Sequence, residues 1–127
     1  MNKKQIDKIC RKYNIKDYTI NSDGSIDVKE SVYLFGRGLK TLPLKFNKVE
    51  GYFWCHRNKL KSLEGAPKVV EGDFYCHRNK LETLEWAPKQ VGLSFWCYNN
   101  QLKTLKGVPK EVEGNFDCSD NQLETLE

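Results

Sequence analysis

The sequence predicts a repeat solenoid with a parallel β-sheet along its concave side and an N-terminal helix and β-hairpin as a cap. Three observations predict it. The last four of the five cysteines are 21 residues apart, and columns of Asn, Leu, Val and Phe keep the same step. Around each of these cysteines, apolar and variable residues alternate, as on a strand with one buried face. The first residues instead place apolar side chains at helical spacing.

Length and composition indicate a single soluble domain. The 127 residues carry a net charge of +4, with 39% hydrophobic and 30% charged residues, a balance typical of a chain that folds. No stretch approaches the roughly 20 apolar residues that cross a bilayer. The first ten residues also lack the apolar run of a secretion signal. We therefore expect a cytoplasmic protein with no membrane contact.

Residues 1–30 are predicted to form the cap. One helix face over residues 3–13 is apolar at i, i+3, i+4 and i+7, that is Ile6, Ile9, Cys10 and Tyr13. The runs YTI (18–20) and SIDV (25–28), joined by NSDG, predict a β-hairpin. A solenoid exposes its core at its end, so a terminal element that covers it is favoured. The alternative is a basic helix that contacts nucleic acid or a membrane.

Residues 31–127 hold about four and a half repeats, of which the first is degenerate. Each full unit reads F-x-C-x-x-N-x-L-x-x-L-x-G-x-P-K-x-V, and its apolar columns, which run as far as Leu126, are predicted to point inward. Three positions depart from the pattern. Arg37 stands in the Asn column, Trp86 replaces a Gly, and Gly92 comes one residue early with Leu93 inserted after it.

The unit resembles the leucine-rich repeat, L-x-x-L-x-L-x-x-N-x-L, with Phe and Cys at two of the Leu positions. It is most similar to a short cysteine-containing subtype of bacterial and bacteriophage proteins. The resemblance covers roughly three quarters of the chain and implies an α/β-type solenoid. The convex segments, such as GAPKVV (65–70), contain Gly and Pro, so we expect irregular or 3₁₀ turns there. A bacteriophage origin would place the protein in the host cytoplasm.

The Asn and Cys columns are predicted to be structural. A buried Asn satisfies backbone groups where the chain leaves the strand and turns. The pairs Cys55-His56 and Cys76-His77 have zinc-ligand chemistry. Adjacent residues on a strand point to opposite faces, however, so one pair cannot chelate one ion. Disulfides are disfavoured in a cytosolic protein. We therefore predict no metal, no cofactor and a ladder of small buried thiols.

The main functional signal is a set of strand positions on the predicted concave face. Aromatic side chains flanked by His and Arg favour an interaction surface. The alternative is that cross-strand aromatic pairs only stabilise the sheet. The predicted partner-binding residues are Tyr33, Phe35, Tyr52, Trp54, His56, Arg57, Tyr75, His77, Arg78, Trp96 and Tyr98.

A protein is the first predicted partner, because the resemblance implies a family that mostly mediates protein–protein contacts. Single-stranded nucleic acid is the alternative, since aromatic rings with Arg57 and Arg78 suit bases and phosphates. No Ser-His-Asp, paired-carboxylate or phosphate-loop pattern is present, so the prediction is a non-catalytic protein. The two histidines add an expected pH dependence near neutrality.

The last strand, around residues 115–118, is predicted to be an open edge. Residues 31–71 carry eight Lys or Arg against three Asp or Glu, whereas residues 114–127 carry four acidic residues and no basic ones. Either the acidic residues guard the edge or another chain pairs with it. We therefore expect a monomer, or weak head-to-tail self-association through this edge.

Overall fold

A helix opens the fold, as predicted. The computed structural model describes residues 1–124, and its helix α1 is Lys3–Lys12. A capping box starts it: Asn2 and Gln5 each accept, through a side-chain oxygen, the other's backbone N–H at 2.9 Å. Ile6 and Cys10 are buried. The helix ends at Lys12, one residue before the end of the predicted range, and Tyr13 is its C-cap residue. Nothing helical in the described range has the length and apolarity of a membrane span.

The predicted hairpin follows the helix. Its strands are β1 (Tyr18–Ile20) and β2 (Ile26–Val28), paired antiparallel. The Asp23 carboxylate fixes the turn by accepting hydrogen bonds from the N–H (2.9 Å) and hydroxyl (2.6 Å) of Ser25. Ile26 and Val28 are buried in the same core as α1. The hairpin is therefore packed into the molecule and not a free arm.

A five-stranded parallel sheet runs through the repeats. Each strand pairs with its equivalent 21 residues further on, so that Phe53 lies opposite Phe74 and Trp54 opposite Tyr75. In each strand of this sheet up to β9, the first residue is buried and the second faces outward. This confirms the predicted alternation. This first sheet consists of β3 (Val32–Tyr33), β5 (Phe53–Trp54), β7 (Phe74–Tyr75), β9 (Phe95–Trp96) and β11 (Phe116–Asp117).

The side expected to hold irregular or 3₁₀ turns instead contains a second sheet. Its parallel strands are β4 (Phe46–Val49), β6 (Val69–Val70), β8 (Gln90–Val91) and β10 (Glu111–Val112), and the hairpin extends it through β2. The predicted turn is present, with the Ala66 N–H bonded to the Leu63 carbonyl at 2.8 Å, but the strand was not predicted, because Gly65 and Pro67 precede β6 and do not interrupt it. Backbone N–H groups after Pro67 hydrogen-bond to the preceding repeat; for example, the Glu71 N–H donates to the Val49 carbonyl at 3.0 Å. The chain is a β-solenoid with two sheets enclosing one core.

Stacked phenylalanines fill that core. The rings of Phe53, Phe74 and Phe95 are parallel at centroid distances of 5.4 and 5.5 Å, and all three are fully buried. Cys55, Cys76 and Cys97 are equally buried, as predicted. Phe116 is 38% exposed and Cys118 is half-buried, so the core opens at the last described repeat. Self-association through β11 stays a prediction, and Leu126 and Glu127 lie outside the described residues.

The Asn column joins neighbouring repeats, as its predicted structural role requires. The Asn79 side-chain oxygen accepts the Leu60 N–H at 3.0 Å. Its amide donates to the carbonyls of Cys55 (3.0 Å) and Cys76 (3.1 Å). Asn100 repeats the arrangement one unit later. Each Asn therefore hydrogen-bonds to backbone groups of the preceding repeat as well as to those of its own.

The irregularity at Gly92 is not an insertion. The strand register is unbroken on both sides of it, with Val91 opposite Val70 and Phe95 opposite Phe74. Leu93 therefore occupies the column of Gly72 and Gly114, and it remains 46% exposed. Its N–H still bonds to the Gly72 carbonyl at 3.2 Å, so the repeat length is preserved.

Candidate functional site: the aromatic face

The predicted site residues are brought together on the outer surface of the first sheet, which we call the aromatic face. The second residue of each strand supplies one column, and the residue two positions later supplies another. This follows from the period-2 alternation of a strand, which places every other side chain on one side. The first column is Tyr33, Trp54, Tyr75 and Trp96; the second is Phe35, His56, His77 and Tyr98.

The first column is a continuous aromatic stack over three repeats. Trp54 and Tyr75 are parallel at 5.3 Å, and Tyr75 and Trp96 are parallel at 4.3 Å. Tyr33 meets Trp54 edge to face at 5.1 Å. Offset stacks and edge-to-face pairs both stabilise aromatic contacts. The middle of this column therefore makes the cross-strand aromatic contacts on which the alternative interpretation rests.

The second column encloses two imidazoles between aromatic rings. Phe35 stacks on His56 at 5.0 Å, His56 on His77 at 4.4 Å, and His77 on Tyr98 at 4.4 Å. His77 is only 5% exposed, although alternation places it on the outer side of the sheet, opposite Cys76. Its neighbours on either side cover it, an effect of stacking that alternation along one strand does not reveal.

Exposure is concentrated at the N-terminal end of the aromatic face. Tyr33 is 45% exposed, Phe35 43% and Tyr52 36%, whereas the stacked residues further along are half-buried or buried. All three rings lie around Trp54, with centroids 5.1, 6.1 and 5.3 Å from its ring. We call Tyr33, Phe35 and Tyr52 the exposed patch. It is a group of apolar rings surrounding a half-buried tryptophan.

The two predicted arginines lie at the turn that follows each strand, and both are exposed. Their backbones are left-handed, with φ of 57° at Arg57 and 56° at Arg78. The same column holds Gly36, Asn99 and Asp120 in other repeats, residue types that adopt this region more readily. A left-handed Arg costs about 1 kcal/mol. Two guanidinium groups are thus held beside the aromatic columns at a cost in stability.

Burial determines the charge of the histidines. Burial, with smaller contributions from His56, Arg57 and Arg78, lowers the pKa of His77 to about 4. Burial and the charge of Arg57 also lower the pKa of His56. His77 is therefore protonated only at a pH well below neutral, and the prediction of a switch near neutrality does not hold for it.

Three buried polar atoms on the aromatic face have no hydrogen-bond partner among the described residues. They are Nε1 of Trp54 and Nδ1 of both His56 and His77. Buried polar groups are ordinarily bonded, and an unbonded one costs free energy. Sequence reasoning missed this feature, because the pattern assigned these side chains to an open surface.

The thiols and imidazoles lie on opposite sides of the first sheet. Cys55 and Cys76 are in the core, whereas His56 and His77 belong to the outer stack. Burial raises the pKa of each core thiol, and that of Cys97 to about 12, so these groups remain protonated. Within residues 1–124, no three His, Cys, Asp or Glu side chains are arranged to hold a metal ion.

The chain was compared with protein-family models, with curated proteins and with solved structures. None of these comparisons gives a match. The fold and the geometry of the aromatic face are therefore the basis for any functional assignment.

Proposed function

We propose that the chain is a non-catalytic protein-binding module and that the exposed patch is the centre of its contact surface. The observation that carries the proposal is the grouping of Tyr33, Phe35 and Tyr52 around Trp54, with each of the three at least a third exposed. Aromatic residues and Arg are enriched where interfaces gain most of their energy. Partly exposed rings around a half-buried tryptophan are typical of such a surface.

The partner's chemistry follows from the side chains around the patch. Arg57 is exposed and its charge acts on His56, and the Arg78 Cζ lies 6.0 Å from the centre of the Tyr98 ring. A protein surface that presents apolar side chains next to Asp or Glu would complement both features. The strained backbone of the two arginines supports a role in binding, because Gly or Asn at these turns would be more stable.

We also propose that the repeat belongs to the leucine-rich repeat family, in its short cysteine-containing subtype. The 21-residue step, the parallel first sheet and the bonded Asn column support this. The family's expected role in protein–protein contacts points in the same direction. For its biological setting, we propose a bacterial or bacteriophage protein that binds and modulates a cytoplasmic target.

Single-stranded nucleic acid is the second candidate ligand for the aromatic face. The continuous stack from Trp54 to Trp96, with two arginines beside it, supports this candidate. Asp73 opposes it, because it lies one repeat from Tyr52 on the same side and would repel phosphates. Salt separates the two candidates, since phosphate contacts weaken steeply as salt rises whereas an aromatic protein interface does not.

The test is affinity capture from bacterial lysate with and without nuclease, followed by affinity measurement on the purified captured protein. The variant is Tyr33→Ser/Phe35→Ser/Tyr52→Ser, which removes exposed rings and leaves the stacked tryptophans in place. Trp86→Gly is the matched control, because Trp86 is a 55% exposed aromatic outside the aromatic face. We expect the triple variant to weaken binding by about a hundredfold, a hot-spot loss of about 3 kcal/mol, and the control to leave it unchanged. Equal binding by all three proteins would refute the proposal, and nuclease-sensitive capture that the triple variant loses would favour nucleic acid on the aromatic face.

A further inference from the structure

A second surface carries chemistry that the aromatic face does not use. A cavity of about 980 Å³ lies beside the segments 40–46 and 59–68, and none of the aromatic-face residues lines it. Its volume is within the range of small-molecule sites. Six lysines line it together with one acidic residue, Glu64. We call this the lysine cavity; its lysines are Lys40, Lys45, Lys59, Lys61, Lys68 and Lys80.

The positive charge of the lysine cavity is largely uncompensated. Among the described residues, only Lys45 of these six has a carboxylate within 4 Å, that of Asp23 at 3.5 Å. Lys40 and Lys61 occupy one column, and Lys59 and Lys80 another, so like charges stand in adjacent repeats. Such neighbours repel one another unless an anion lies between them. After these pairs the first column continues with Glu82 and then Lys103, and the second continues with Gln101, so lysines in adjacent repeats of these columns occur only at the cavity.

Trp86 is the only tryptophan that lines the lysine cavity, and its backbone is strained. Its φ is 76°, where the equivalent residues of the neighbouring repeats are Gly65 (φ 95°) and Gly107 (φ 91°). A bulky residue in this region costs free energy that glycine avoids. The indole is 55% exposed, so core packing does not compensate for that cost. Retaining a strained residue at an exposed position points to a contact that the indole makes.

We propose that the lysine cavity binds a phosphorylated ligand that carries a planar ring, either a free nucleotide or a nucleotide within a single strand. Lysine ammonium groups bind phosphate as point charges, and an exposed indole stacks on a base. The apolar side chains of Leu42, Leu44 and Ala66 line the same cavity and suit the ring rather than the phosphates. Ring and charge are thus recognised in one place, apart from the proposed protein-binding surface.

Isothermal titration of the full chain at about 0.1 M salt tests the ligand chemistry. The probes are ATP, inorganic tripolyphosphate, adenosine and a ten-nucleotide oligo(dT). We expect ATP to bind about tenfold more tightly than either tripolyphosphate or adenosine, since each lacks half of the recognised groups. Tighter binding of the oligonucleotide than of ATP would identify a single strand as the source, and the reverse a free nucleotide. Binding of tripolyphosphate as tight as that of ATP, or binding of neither ATP nor the oligonucleotide, would overturn the proposal.

Two matched lysine variants locate the site. Lys61→Gln/Lys68→Gln alters the lysine cavity, whereas Lys103→Gln/Lys110→Gln makes the same changes in the same columns two repeats later, outside it. Both lower the net charge equally. We expect about a tenfold loss of affinity for the tighter probe in the first variant and none in the second. Equal losses would mean that only the overall charge attracts the ligand, which would overturn the proposal.

Trp86→Gly separates binding from folding. Because glycine suits the positive φ, this variant should raise the urea midpoint of unfolding while it weakens the tighter probe about tenfold. Unchanged affinity in a stabilised Trp86→Gly protein would overturn the stacking role. Tyr33→Ser/Phe35→Ser should leave probe binding as in the wild type, so failure of this proposal is distinguishable from failure of the protein-binding proposal.

Discussion

At the scale of single residues, the buried asparagines make the repeats interdependent. Asn79 accepts one N–H and donates to two carbonyls, and all of these groups are away from water. We expect Asn79→Ala to lower the free energy of unfolding by about 3 kcal/mol, because each buried group that loses its partner costs about 1–3 kcal/mol. Urea unfolding measures the change.

Asn121→Ala is the control for this prediction. Asn121 makes the equivalent bonds to Leu102 and Cys97 but is only half-buried, so water can replace its amide. We expect a loss of about 1 kcal/mol for this variant. Equal losses at the two positions would contradict the role assigned to burial.

The same bonds explain why Arg37 is tolerated in the Asn column. Each Asn accepts N–H groups of the preceding repeat, and Asn58 does so from Arg37 (2.9 Å) and Leu39 (3.0 Å). The first unit follows the hairpin, so no preceding repeat presents an equivalent turn to residue 37. The sequence predicted the structural role of the column from its regularity. It did not predict the direction of the bonds, because that depends on contacts between units.

His77 predicts a pH dependence of stability. Its pKa is about 4 in the folded protein, below the value of about 6.5 expected when unfolded. Between these values the unfolded chain binds more protons, so His77 stabilises the fold fully above pH 6.5 and progressively less as pH falls towards 4. We expect His77→Phe, which keeps a stacked ring, to lose less stability than wild type across this window.

The measurement is the urea midpoint of both proteins at several pH values in that window. Carboxylates titrate in both proteins, so the difference between the two curves isolates the imidazole. A difference that stays constant with pH would contradict the lowered pKa of His77. An NMR titration of His77 checks its pKa directly.

At the scale of elements, the two sheets differed in how far they could be predicted. The F-x-C segments alternate buried and exposed side chains, so the first sheet was readable from the sequence. The strands β6, β8 and β10 of the second sheet are equally short, but only their second residue recurs as apolar, so no alternation is visible there. Those strands exist because the step of 21 residues sets N–H groups of each unit beside carbonyls of the preceding repeat. Their pairing is a property of the stack and not of any one segment.

Neighbouring backbones approach each other closely at Gly72. A Cβ on Gly72 would lie 2.7 Å from the Gly51 carbonyl oxygen and 2.6 Å from Cδ1 of Tyr52. Both contacts are too close, and the first is with backbone, so the repeats would have to separate. We expect Gly72→Ala to lower the free energy of unfolding by about 2 kcal/mol, in the range of overpacking, as measured by urea unfolding.

Leu93→Ala is the matched control, because Leu93 occupies the same column and already carries a Cβ. Its side chain is exposed, so we expect a change within about 0.5 kcal/mol. A Gly72→Ala protein as stable as the wild type would show that the repeats can move apart without cost.

At the scale of the whole molecule, the position of the candidate site was predictable and its accessibility was not. The repeat length brings the aromatic columns together, so the eleven residues of the aromatic face could be named from spacing alone. How much of each ring meets solvent depends on its neighbours above and below. His77 is covered on both sides, whereas Tyr33 and Phe35 lie at the edge strand β3, where only one neighbouring strand can cover them. The lysine cavity was missed for a related reason: its lysines follow the repeat period, but which of them meet around one cavity depends on how the turns of several repeats pack.

The solenoid should therefore be most sensitive to substitution where stacking is two-sided. Phe74 is buried between Phe53 and Phe95 at 5.4 and 5.5 Å, whereas Phe116 stacks on Phe95 alone and is 38% exposed. Stability in a repeat protein is approximately a sum over units and their interfaces. We expect Phe74→Leu to lower the free energy of unfolding by about 2–3 kcal/mol, from lost buried area and two aromatic stacks.

Phe116→Leu makes the same chemical change in the same column and should cost less than half as much. Urea unfolding gives both values. Hydrogen exchange adds an independent readout, because amides near Phe116 should exchange faster than those near Phe74 if the last described repeat opens first. Equal losses, with uniform exchange across the repeats, would mean that the molecule unfolds as a single unit. The open end of the core would then contribute nothing to how unfolding begins.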